Sequence, residues 1–442
     1  MGLEADEKAM GPSSAEMNGN GVSDNGNTVG TVTDLTALTT LGYTPELKRN
    51  RSLYTLLFQT LAIAAIPYGE GGPLISAIYG GGQLSIFLGW IVVLILDECV
   101  ALSLAELAMD LAYWQLDYHT LGQFRLRSTS HGNAWTAVSI FIILVALSAK
   151  ADVGRHSASY TLGHYDTSLS GWGGFTFFIG LLPAAYTFSA IGMIASMAEE
   201  VSSPATVVPK ALALCVPVGG IAGLFFIIPI CATMPPLEEI ILAPSGQALP
   251  YIFHMVMGTP GGGLGLTFLV LGVTAFCSIS ITVAASRCTW AFARDQAIPG
   301  SKLFGTVNHS LGVPVNALGL VTIVQMLLGL INLGSTSAFT AFVSVGVIGL
   351  AVSYAIPIAI SLLWDRRVAV NSAKWNVGNL VGTIANVVAL CWITFEVVLF
   401  SMPTVLPVTS ISMIGFGVLA GAWYGIYARK VYKGPPASDG LS

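Results

Sequence analysis

Charge is what this sequence has least of. Of its 442 residues only 9% are Asp, Glu, Lys or Arg, against roughly 25% in an ordinary soluble domain. So few charged side chains cannot clothe a 46.2 kDa chain in water. That excludes a soluble multi-domain enzyme, a nucleic-acid binder and a disordered regulator. The six cysteines (Cys99, Cys215, Cys231, Cys277, Cys288 and Cys391) lie in or beside apolar runs. They show neither zinc-ligand spacing nor pairing within a loop, so neither a metal site nor a disulfide framework is expected. Period-two alternation is missing as well. The apolar runs are continuous, as from Ile221 to Ile230, which argues against a membrane barrel and for helical spans. Residues 1–46 lack an apolar h-region and are rich in Gly, Asn, Ser and Thr. They read as a disordered cytosolic tail, not a signal peptide. No nucleophile–base pair or phosphate-cradling loop appears, and the six histidines fall in loops or short connecting helices. Neither an enzyme nor a cofactor is expected.

What the chain does have is apolar segments of bilayer length. A mean hydropathy of +0.75 is spread over ten predicted spans: 53–79, 84–108, 133–150, 174–197, 209–232, 263–286, 314–333, 337–363, 378–401 and 409–429. Segment 247–258 is apolar but too short to cross, and is predicted to be a helix in the loop between the fifth and sixth spans. The fold class is thus an all-α membrane protein. A membrane domain, 47–432, lies between the tail 1–46 and a short cytosolic tail, 433–442. With the N-terminus inside, sixteen of the eighteen basic residues fall on the cytosolic side, and Lys150 and Arg155 outside. This positive-inside bias fits ten spans with both termini cytosolic.

Two spans carry helix-breaking residues in their middles. The first reads Pro67-Tyr68-Gly69-Glu70-Gly71-Gly72-Pro73. Proline removes a donor and glycine relaxes the backbone. Such a stretch is either unwound backbone lining a cavity, as in secondary transporters, or an extracellular loop after a short span. Glu70 is accordingly a coupling or amine-binding acid, or a solvated one. The fourth span offers Pro183 and then Tyr186, Thr187, Ser189 and Gly192. This is a second break, or ordinary small-residue packing. Asp97 and Glu98 lie near the middle of the second span, about 100° apart on a helix, and one of them is a proton-relay candidate. Ser278, Ser280 and Thr282 of the sixth span have the oxygens to ligate sodium, though hydroxyls are common in membrane helices and packing is their more usual role. Glu396 of the ninth span has nothing beside it in sequence that marks a cavity.

Two cytosolic stretches carry a family resemblance. After the fourth span come Glu199-Glu200-Val201, Pro204 and Val208-Pro209-Lys210-Ala211. After the sixth come Arg287, Ala291-Phe292-Ala293-Arg294-Asp295, Ile298-Pro299 and Gly312-Val313-Pro314. These resemble signatures of the amino acid–polyamine–organocation superfamily, especially the fungal amino-acid, GABA and choline permeases. The end of the second span, Ser103 to Ala108, is similar as well. The resemblance implies a leucine-transporter-type fold of two inverted five-helix repeats, each with a broken first helix around the substrate. It also implies proton- or sodium-coupled uptake of an amino acid, GABA, choline or a polyamine across the plasma membrane. By position, Tyr68 to Gly72 and Tyr186 to Gly192 match the two broken segments. Glu199, Glu200, Arg287, Arg294 and Asp295 match a cytosolic face where paired charges gate access or simply anchor the helices. The family's third and fourth helices are missing: Met109 to Gly132 is a polar stretch that leads directly into a helix resembling the family's fifth. The expected fold is therefore an incomplete inverted repeat. A receptor that keeps the cleft without transporting, and a passive channel, are the competing readings.

Overall fold

The computed structural model describes residues 52–113, 122–201, 204–243, 246–308, 313–334, 336–363 and 375–404. The tenth predicted span and both tails lie outside them. Among the described residues there is no strand, only an isolated bridge between Asn308 and Val313. Six helical segments among the described residues are long and apolar enough to cross a membrane: Gln83–Ala108, Gly173–Met197, Pro204–Ala232, Pro260–Arg294, Phe342–Leu363 and Asn379–Ser401. Shorter apolar helices at Leu53–Gly69, Ala134–Lys150 and Val315–Ile331 occupy the first, third and seventh predicted spans, and Ala248–Met257 is the predicted loop helix.

Helix ends follow local chemistry. Ser52 caps the first helix by accepting the Thr55 amide, and Thr259 accepts the Gly262 amide to open the sixth span, with Pro260 in its first turn. Gly258 ends the loop helix at φ 61°. A Cβ there would fall 2.0 Å from a carboxylate oxygen of Asp152, so only glycine fits.

Two boundaries differ from expectation. The second-span helix runs on to Tyr113 and the third-span helix opens at Gly122, so much of the polar stretch Met109 to Gly132 is helical. The apolar pattern marks where the membrane ends, whereas the helix ends only where a breaker stops it, and neither flank contains proline. The eight residues 114–121 between these helices lie outside the described set, and eight residues leave no room for two further spans.

The core lies between the second and fifth spans. Gly223 of the fifth receives the indole of Trp90, whose ring would lie 2.1 Å from a Cβ at that position. Trp90 is fully buried, donates to the Gly220 carbonyl at 3.1 Å and tilts against Phe188, with centroids 5.3 Å apart. This joins the second, fourth and fifth spans at one point. Pro209, Pro217 and Pro229 all lie within the fifth-span helix. Each removes one helical hydrogen bond, so the core packing must hold this helix together. Gly223→Ala is expected to lower the melting temperature of the purified protein, since overpacking costs about 1–3 kcal/mol. Gly319→Ala, where a Cβ meets open space, should leave the melting temperature unchanged or raise it in the same assay.

Candidate functional site

Both sequence-predicted breaks are present, at slightly different places. The first-span helix Leu53–Ala64 stops at Ala65, which adopts left-handed backbone at φ 41°. For a residue with a Cβ that conformation costs about 1–2 kcal/mol. One helical turn, Ile66–Gly69, follows with Pro67 in its opening positions. Glu70 to Pro73 then leave the helix before it resumes as Leu74–Tyr79. Tyr68 and Gly69 are therefore helical, and the interruptions flank them. The reason is that Pro67, in the first turn, gives up a donor that the new helix would not have used.

The fourth span breaks twice, at Gly180–Leu181 and at Ser189–Ala190. Pro183 opens the helix Leu182–Phe188, so Tyr186 and Thr187 are helical, while Ser189 stands at the lower break. Below it the chain continues as a 3-10 helix, Ile191–Glu200, that contains Gly192. Ten residues is long for this tighter helix, which usually runs three or four.

The two broken segments pack side by side. A Cβ on Gly69 would fall 2.8 Å from Thr187 Oγ1 and 2.8 Å from the Ala64 carbonyl, and one on Gly80 would fall 2.3 Å from Gly180 Cα. Tyr68 and Tyr186 are electrostatic neighbours at this crossing. The loop helix covers this crossing, with Leu249 against Gly71. Glu70 is 2% exposed, and its Oε2 has no hydrogen-bond partner. Cys231, near the end of the fifth span, is its electrostatic neighbour. Of the two readings of 67–73, the solvated loop is therefore excluded: most of the segment is enclosed in protein.

Asp97 and Glu98 diverge as their helical spacing requires. Asp97 is 5% exposed and faces the ninth span, where Trp392 Nε1 donates to its Oδ1 at 2.7 Å. Glu98 faces Cys215 of the fifth span. Glu396, discounted from sequence, lines the same small cavity as Asp97, together with Ser189, Ile191 and Tyr354. A signal did exist: Trp392 and Glu396 stand four residues apart, on one helix face.

The remaining candidates are scattered. Ser278 donates to the Ala275 carbonyl of its own helix, and Thr282 bonds the Ser278 carbonyl and Gln325 of the seventh span. Neither reaches Glu70. In their place Cys277 donates to the Ile63 carbonyl at 3.3 Å, and the Ser280 carbonyl accepts from Gln59. At the end of the sixth-span helix Arg294 stacks 4.8 Å above the Trp290 ring and lies 3.7 Å from Asp295. Burial pushes the Asp295 carboxyl above its ordinary range, and Arg294 draws it partly back. Arg287 is buried. The side chains of Glu199 and Glu200 lie outside the described residues. Glu106, in the stretch that resembles the family at the second span's end, accepts the Val377 amide at 3.0 Å and so anchors the start of the ninth span. Among the described residues no group of three or more His, Cys, Asp or Glu is placed to hold a metal ion.

Comparison with known proteins places this geometry in a family. The family model described as amino acid permease matches residues 127–423. An uncharacterized amino-acid permease of Schizosaccharomyces pombe is 33% identical over 372 residues, covering 76% of this chain and 67% of the relative. The choline transporter of Saccharomyces cerevisiae is 31% identical, over 62% of this chain and 49% of the relative. Amino-acid permease 2 of Neurospora crassa is 30% identical, over 63% and 52%. The chain thus spans between about half and two thirds of the length of these relatives.

The crossing yields one expectation. A Cβ on Gly71 would fall 2.4 Å from the Pro67 carbonyl and 2.4 Å from Leu249 Cδ2. Gly71→Ala should therefore destabilise the purified protein by about 1–3 kcal/mol. Adding Leu249→Ala relieves only the side-chain half of the clash, so thermal unfolding of the double variant should not return to the parent value.

Proposed function

We propose, because this chain belongs to the amino acid permease family of the amino acid–polyamine–organocation superfamily, that it carries an amino acid or a related small amine such as GABA, choline or a polyamine across a membrane, coupled to movement of a cation. The observation that carries this reading is the pairing of the two interrupted spans around the buried, unpartnered Glu70. A carboxylate removed from water is costly unless it is neutralised. An ammonium group or a proton arriving beside Glu70 supplies that neutralisation. The interruptions at Glu70–Pro73 and Ser189–Ala190 are where this backbone departs from regular helix, and there it can offer a substrate the groups that a continuous helix would have consumed. Tyr68, Gly69, Gly71, Gly72, Tyr186, Thr187, Ser189 and Gly192 are the proposed walls of the substrate site.

Coupling falls to the buried acids Glu70, Asp97 and Glu98. Ser278 and Thr282 support a sodium site less well, because their hydroxyls already serve their own helix and Gln325. Glu199, Glu200, Arg287, Arg294 and Asp295 form the proposed cytosolic gate. The proposed setting is the plasma membrane, with both termini in the cytosol.

The test is uptake into vesicles holding the purified protein, screened with radiolabelled amino acids, GABA, choline and polyamines. The parent protein should accumulate a substrate only under a cation gradient. Glu70→Gln should abolish accumulation while insertion and monodispersity stay intact, and normal uptake by that variant overturns the role of Glu70. Binding without accumulation identifies a receptor; flux indifferent to any gradient identifies a channel.

A further inference from the structure

The cavity between the second, fourth, eighth and ninth spans is apart from the crossing at Glu70. Asp97 of the second span and Glu396 of the ninth both line it, and each is 5% exposed. Asp97 Oδ1 accepts from Trp392, while Oδ2 is buried with no partner. The cavity holds about one water molecule, too little for an organic cation. The other titratable groups around it are Glu98 and Cys99 on the second span, Cys215 on the fifth, Cys288 on the sixth and Tyr354 on the eighth. Among the described residues, the groups acting on Asp97 and Glu396 include no lysine, arginine or histidine.

We infer that Asp97 and Glu396 form one proton-binding pair, the site at which this permease takes up and releases its coupling proton. Two carboxylates that line one small cavity without a counter-charge cannot both be ionised in a low-dielectric interior, so the pair retains a proton. The Trp392 N–H occupies Asp97 Oδ1, which leaves Asp97 Oδ2 and the Glu396 carboxyl to hold the proton. One O–H bond forms on a carboxylate oxygen as one breaks in hydronium, and no other bond changes. A proton from water on one side joins the pair, and the same proton leaves to water on the other.

The position of the pair gives it a means of coupling. The cavity wall at Ser189 and Ile191 is the lower break of the fourth span, where helix Leu182–Phe188 gives way to the 3-10 segment. The same helix carries Tyr186 and Thr187 to the crossing with the first span. A shift of that helix on substrate binding therefore alters the cavity that holds the proton. This inference deepens the permease reading and rests on it for its use, though not for its chemistry.

Two measurements separate these layers. Infrared spectra of the purified protein, titrated from acidic to alkaline buffer in heavy water, should show a protonated-carboxyl C=O band from the pair. The band should vanish in Asp97→Asn/Glu396→Gln and survive in Glu396→Asp. Glu70→Gln removes only its own contribution. In vesicles, accumulation driven by a pH gradient should be lost in Asp97→Asn and in Glu396→Gln and regained in part by Glu396→Asp. The inference is overturned if the band persists in the double variant, if pH-driven accumulation is untouched in both single variants, or if accumulation follows a sodium gradient instead. If the parent protein moves no substrate, the transport reading fails, and the infrared band still decides whether the pair holds a proton.

Discussion

Everything in this molecule follows from the absence of water around its backbone. In hydrocarbon each N–H and C=O must find a partner within the protein. A helix meets that demand alone, and a broken helix does not. Wherever this chain breaks a span, it therefore brings protein to the gap. At the first break Cys277 of the sixth span donates to the Ile63 carbonyl, and the turn Ile66–Gly69 restores its own ladder. At the lower break of the fourth span Ser189 folds back onto the Tyr186 carbonyl. The glycines follow from the same demand. Gly80 and Gly180 stand where one backbone approaches another, and Gly69 and Gly71 where the backbone receives the side chains of Thr187 and Leu249.

Much of this was legible in sequence because the signals are physical and local. Apolar length gave the spans that lie within the described residues, and proline and glycine gave the two interruptions. The loop helix Ala248–Met257 was legible from being too short to cross. Misplaced details share one cause. Pro67 reads as the start of the first break and Pro183 as part of the second, yet each opens a short helix instead, because proline fits the first helical turn. The extension of the second and third helices beyond the apolar stretch was invisible to a hydropathy reading for a similar reason: helix propensity does not stop at the lipid boundary.

Contacts across the bundle were the illegible part. Nothing in the ninth span announces that Trp392 and Glu396 face Asp97, nearly three hundred residues earlier. The i, i+4 spacing says only that the two share a face. Likewise Ser278 and Thr282 satisfy the composition of a cation site, yet their hydroxyls turn to their own helix and to Gln325. Composition names the groups able to bind, and packing decides which of them converge. Here it gathers acids at two places, one beneath the loop helix and one beside the lower break of the fourth span.

The 3-10 segment Ile191–Glu200 has a mechanical side. A 3-10 helix rises about 2.0 Å per residue and an α-helix about 1.5 Å. Ten residues held in the longer form thus store a difference in reach of about 5 Å, close to one α-helical pitch. Rewinding this stretch as α-helix would shorten it by about that amount, and the fifth-span helix, which starts at Pro204, lies directly after it. The chain carries, within a single element, a stroke comparable to the height of one layer of side chains in its own core.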